Sequence, residues 1–215
     1  MRTRFWLGVL VSASALLALA AAPAAAHHPM GGQLPATLTQ GLLSGLGHPV
    51  IGLDHLAAII AVGCIAAWYR TGPALVVGFV AAMTAGVALH LRETNVPASE
   101  ALVAVSVMAL GATLVLRKAL HPAAALGLFV IAGLLHGYAL GESIVGAETT
   151  PLAAYVIGLA VIQAAIALGV MMLMRLVAHP AWGDLAPVRL VGAGIAGVGL
   201  AILVQQITAA AAGTG

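Results

Sequence analysis

Charge is scarce in this sequence. Only 7% of its 215 residues are Asp, Glu, Lys or Arg, against 62% hydrophobic, too few to solvate the surface of a soluble globule of that size. The mean hydropathy of +1.13 agrees, and the composition is that of a polytopic membrane protein surrounded by lipid. A formal net charge of +2, with basic residues scattered singly, lacks the dense basic patch that nucleic acid requires. A single cysteine, Cys64, excludes an intramolecular disulfide, and its apolar neighbours make it a core residue. There is no HExxH, nucleophile or ATP-binding motif, so nothing marks an enzyme or an ATP-driven pump. Gly192-Ala193-Gly194-Ile195-Ala196-Gly197 does match GxGxxG. It lies inside an apolar span with no preceding strand, so its glycines read as helix packing rather than a dinucleotide site.

The chain opens Met1-Arg2-Thr3-Arg4, continues apolar from Phe5 to Ala22, and reaches Ala24-Ala25-Ala26. Those are the three regions of a secretory signal peptide. Residues 1–26 are therefore expected to be a signal, leaving 27–215 as one transmembrane domain that begins His27-His28. An uncleaved anchor is the alternative; both deliver residue 27 outside. Thr37 to Gly47 reads as a surface or re-entrant lead-in, and the first span runs from His48 to Tyr69. Five more apolar stretches follow, Pro73–Leu91, Ser99–Leu120, Pro122–Gly141, Pro151–Leu176 and Val188–Ile207, each near the ~20 residues that span a bilayer. Pro73, Pro122, Pro151 and Pro187 stand at or just before helix starts. The expected fold is all-α, a bundle of six transmembrane helices. With residue 27 outside, Arg70, Arg117, Lys118, Arg175 and Arg189 fall in cytoplasmic loops and only Arg92 outside, a positive-inside pattern.

Against this apolar background His48-Pro49-Val50-Ile51-Gly52-Leu53-Asp54-His55 stands out. On one continuous helix, with Pro49 in its first turn, His48 and His55 would share a stripe ~10 Å apart along the axis. Asp54 would lie beside His55. Ionisable residues within a span are functional candidates by default. Other spans aim similar groups at the same outer layer. Glu100 begins the third span, His136 lies ~8 Å below the outer end of the fourth, and Glu142 marks that end. Gly133, Gly137 and Gly141 recur every four residues, a smooth ridge for close helix approach that turns His136 toward protein. The plain alternative is a buried histidine bonded to a carbonyl. His90 reads as interfacial, His121 and His179 as loop residues, and Met171, Met172 and Met174 as core. Glu93 and Glu148 join Glu100 and Glu142 in an outer acidic rim that would attract cations.

Neutral imidazole with carboxylate suits Ni²⁺, Co²⁺ or Zn²⁺, and a few ligands spread over several helices suit an ion that must leave again. Three other chemistries use similar residues. Paired histidines on helices can ligate haem iron, a metal-dependent hydrolase could use Asp54 or a glutamate as base, and an assembly role needs no transport.

The stretch HPVIGLDHLAAIIAVG resembles the HPxxGxDHLLAMxAVG signature of the HupE/UreJ family of nickel permeases. Glu100 to Ala112, with Ala104-Val105-Ser106, is similar to a family stretch, and His136-Gly137-Tyr138-Ala139-Leu140-Gly141-Glu142 resembles its HGxAHGxE motif. The resemblance implies a bacterial inner-membrane carrier with a periplasmic mature N-terminus. Its cargo would be Ni²⁺, or Co²⁺, with no resident cofactor, and it would serve hydrogenase or urease maturation. It implicates His48, Asp54, His55, Glu100, His136 and Glu142. The sequence departs from the family at Leu140, where a second histidine is usual.

Overall fold

The computed structural model describes residues 33–117, 119–177 and 186–213. The expected signal peptide, His27, His28, Lys118, His179 and Asp184 lie outside them. Among the described residues seven α-helices follow in order: α1 Leu38–Ile51, α2 Leu53–Ala66, α3 Gly72–Leu91, α4 Ser99–Leu116, α5 Pro122–Gly141, α6 Thr149–Val177 and α7 Ala186–Ala211. A short 3-10 turn, Glu142–Ile144, extends α5. No strand occurs among the described residues. Helices α3 to α7 are each long and apolar enough to cross a membrane, and α1 with α2 passes the same test only as a pair bent by 78°, the shape of a broken span or a re-entrant loop. The protein is thus an all-α, polytopic membrane protein.

That bend corrects the expectation of one straight first helix starting at His48. The chain becomes helical earlier, at Leu38, where the Thr37 side chain accepts a hydrogen bond from the Gln40 amide as an N-cap does. Pro49 therefore lies inside α1 rather than in a first turn, and removes one helical donor. Three residues later Gly52 leaves the helical region, with φ −73° and ψ 107°. Its N–H still closes α1 onto the His48 carbonyl at 3.0 Å, and its carbonyl opens α2 by accepting from Leu56 at 2.9 Å. A single residue thus serves both helices, and the break exposes neither of its backbone groups to lipid, which is what membrane depth demands.

Helix α2 is the centre of the bundle and touches all six other helices. Ala58, Ile59, Ala61, Val62, Ile65 and Ala66 are completely buried. A helix that is apolar on every face beyond its first turn belongs in such a place. Around it the remaining helices interlock in pairs through close backbone approaches. A Cβ on Gly133 of α5 would lie 2.6 Å from the Phe79 carbonyl of α3, and one on Gly86 of α3 would lie 2.7 Å from the Tyr138 nitrogen. The expected glycine ridge is therefore the α3 contact. Helices α4 and α7 meet the same way at Gly111, Gly192 and Gly199, whereas Gly197 meets nothing within 4 Å. Of the GxGxxG run, then, Gly192 packs and Gly197 does not.

Helix α6 packs against both halves of the bent pair. Gly41 and Gly45 of α1 sit against Pro151 and Tyr155, and Gly63 of α2 sits against Ala167. At the far end Arg175 donates to the Tyr69 carbonyl at 2.6 Å, and the Tyr69 hydroxyl donates to the Leu120 carbonyl at 2.8 Å. The outward faces keep large apolar side chains such as Leu43, Val77, Ile131, Val161 and Leu176 exposed, as a lipid-facing surface should.

Candidate metal centre

The break at Gly52 aims the first turn of α2 at the side of α5. Asp54, His55 and His136 come together there, with one potential ligand atom from each lying within 4.8 Å of the others. The closest approach is between His55 Nδ1 and His136 Nδ1, at 2.8 Å. That is a hydrogen-bond distance, and close to the ~3 Å edge of an octahedron with metal–nitrogen bonds of ~2.1 Å. An Asp54 carboxylate oxygen lies 3.8 Å from His55 Nδ1. His136 is wholly buried and His55 nearly so, while Asp54 keeps 19% of its side chain exposed. Asp54 also occupies the first turn of α2, where the positive end of the helix dipole favours a carboxylate.

The hydrogen bonds around His136 select its tautomer. The Ser106 hydroxyl of α4 donates to the Val103 carbonyl at 2.7 Å, so only its lone pairs face the imidazole. His136 Nε2, 3.1 Å from that oxygen, must therefore carry the proton and donate. Its Nδ1 then holds a lone pair pointing at His55, which supplies the N–H between them. An imidazole oriented by donation from its second nitrogen is the usual arrangement of a metal ligand. The two supports agree in depth. His136 precedes the end of α5 by five residues and Ser106 follows the start of α4 by seven, ~8 and ~10 Å along the axes.

His48 stands in a neighbouring layer, its ring centroid 6.0 Å from that of His55. Its Nδ1 lies 3.1 Å from both the Ser143 and the Tyr155 hydroxyls. Both hydroxyls also reach the Leu140 carbonyl, at 3.1 and 2.9 Å. The Leu140 side chain is completely buried. Glu100 and Glu142 are exposed and stand apart from the cluster. Glu100 takes a hydrogen bond from Gln206 of α7, and Glu142 adjoins Ser143. His90 packs against Tyr138, ring centroids 4.5 Å apart.

Of six sequence-selected residues, three form the cluster, His48 flanks it, and the two glutamates do not reach it. Reading for His and acids alone passed over Ser106, Ser143 and Tyr155. Each left a signal, since a hydroxyl amid an apolar helix or beside a conspicuous acid needs a partner.

One edge of the centre is shaped by what is missing. A Cβ on Gly52 would lie 2.7 Å from His55 Cδ2 and 3.2 Å from Asp54 Oδ1. The glycine leaves the space that these two side chains use.

Comparison with known proteins places the chain. Residues 15–202 match the family of HupE / UreJ proteins. Protein HupE of Rhizobium leguminosarum bv. viciae is 32% identical over 127 residues, covering 58% of this chain and 64% of that protein. The chain thus spans less than two thirds of that relative's length. No solved structure matches it.

Proposed function

The chain belongs to the HupE / UreJ family, and from that premise we propose that it is a secondary carrier of divalent transition-metal ions, Ni²⁺ first among them. It is a carrier rather than an enzyme, with the ion as cargo and no resident cofactor. It works in the bacterial inner membrane, takes the ion at the periplasmic face, and serves the maturation of a nickel hydrogenase or urease. The observation that carries this reading is the cluster of Asp54, His55 and His136, built where a broken helix meets two others within the apolar layer. Discontinuous helices commonly form ion sites in secondary transporters. Exposed Glu100 and Glu142 at the same end raise the local cation concentration, and Asp54, with 19% of its side chain exposed, is the first contact. The opposite end gathers Arg70, Arg117, Arg175 and Arg189, the cytoplasmic signature. A membrane potential moving a divalent ion inward contributes ~4.6 kcal/mol per 100 mV, ~2.3 for each charge.

Uptake of ⁶³Ni²⁺ by cells producing the full chain tests the reading. Asp54→Asn and His55→Ala each abolish uptake while the protein still reaches the membrane, and normal uptake by both would refute this site. Excess Co²⁺ and Zn²⁺ as competitors identify the cargo: suppression by Co²⁺ marks a cobalt or broader carrier.

A further inference from the structure

We infer that Gln163 of α6 is a second coordination station for the travelling ion, deeper in the membrane than the Asp54–His55–His136 cluster. The inference rests on the carrier reading above. Gln163 is completely buried, and neither its amide oxygen nor its amide nitrogen has a hydrogen-bond partner in the protein. Burying an amide without a partner is destabilising, and in a hydrocarbon layer no bulk water offsets it. Any large apolar side chain would serve packing better here. Such an orphan calls for a ligand that is present only part of the time.

Its position suits that role. Tyr155, Leu159, Gln163, Ala167 and Met171 recur every four residues, all buried, and form the inward stripe of α6. Tyr155 heads the stripe at His48. Lower down, Gly63 of α2 meets Ala167 and Val170, and just past the end of α2 the Tyr69 carbonyl accepts from Arg175, so α2 and α6 advance in the same direction. Gln163 precedes Ala167 by one turn and His55 precedes Gly63 by two. Gln163 therefore sits one turn beyond the level of His55, ~6 Å further toward the Arg175 end. An ion leaving the cluster toward that end meets this amide next.

The chemistry is that of transit. An amide oxygen is a neutral donor to divalent ions, weaker than imidazole with carboxylate. It leaves no uncompensated charge in the membrane when the ion has gone, and it lets the ion go. A glutamate of the same shape would hold it.

Three measurements on the full chain decide the matter, with Ni²⁺ as the probe. Gln163→Leu should cut ⁶³Ni²⁺ uptake by about tenfold, the scale of losing one polar partner of a metal path. Its calorimetric Ni²⁺ affinity in detergent, set by the cluster, should stay that of the wild type. Gln163→Glu should bind an additional Ni²⁺ per chain and transport more slowly. Wild-type uptake by Gln163→Leu, or wild-type stoichiometry in Gln163→Glu, would overturn the station while leaving the carrier reading intact. Absence of uptake by the wild type itself would overturn the carrier reading and the station with it.

Discussion

Replacing Ser106 by alanine tests the logic of the centre without touching a ligand. Ser106 Oγ is the acceptor for His136 Nε2–H, 3.1 Å away, at a residue with no solvent exposure. In Ser106→Ala that N–H loses its partner in a buried site, which costs about 1–3 kcal/mol. The imidazole relieves the cost by moving its proton to Nδ1, the atom that faces His55. The lone pair offered to the ion is then gone. Loss of a support of this kind lowers metal affinity by about 10–100-fold, or ~1.4–2.7 kcal/mol of binding. Isothermal titration of detergent-solubilised protein with Ni²⁺ measures the affinity, and a thermal unfolding scan measures the structural cost. Ser106→Thr, which keeps the hydroxyl, should retain wild-type binding. If Ser106→Ala bound Ni²⁺ as tightly as the wild type, His136 would not be presenting Nδ1 to the ion and the tautomer argument would fail.

Other perturbations separate site from scaffold. Gly52→Ala places a methyl 2.7 Å from the His55 ring on a backbone that alanine tolerates, so stability should hold within about 1 kcal/mol while uptake collapses; wild-type uptake would show that the ring has room to move. Gly137→Val drives a side chain into the Met83 main chain and should destabilise the α3–α5 pair by about 1–3 kcal/mol or more, seen as less protein in the membrane fraction, with wild-type abundance as the contrary result. Tyr155→Phe removes the hydroxyl that donates to Leu140 and meets His48. Its expected cost is about 0.5–1.5 kcal/mol in thermal unfolding, and an unchanged melting temperature would show that Ser143 alone holds this corner.

Much of the architecture was legible in the order of residues, because its cause is local. Five stretches of apolar residues, four of them with a proline at or just before the start, had to become spanning helices, since no other open structure satisfies its backbone in lipid. Gly133 and Gly137 had to be a contact face, because small residues repeated every four positions make one smooth side of a helix whatever packs there. His55, Asp54 and His136 could be assigned to one layer from depth alone, since 1.5 Å per residue is a property of the helix itself. What tertiary structure decided is whatever depends on direction across helices. The sequence permitted a straight helix through Gly52; the 78° bend exists because α1 packs on α6 while α2 must fill the bundle centre. Glu100 and Glu142 share a level with the cluster and still fail to reach it, since level says nothing of rotation about the axis. The choice of nitrogen on His136 came from a serine thirty residues earlier, a pairing that no spacing along the chain encodes.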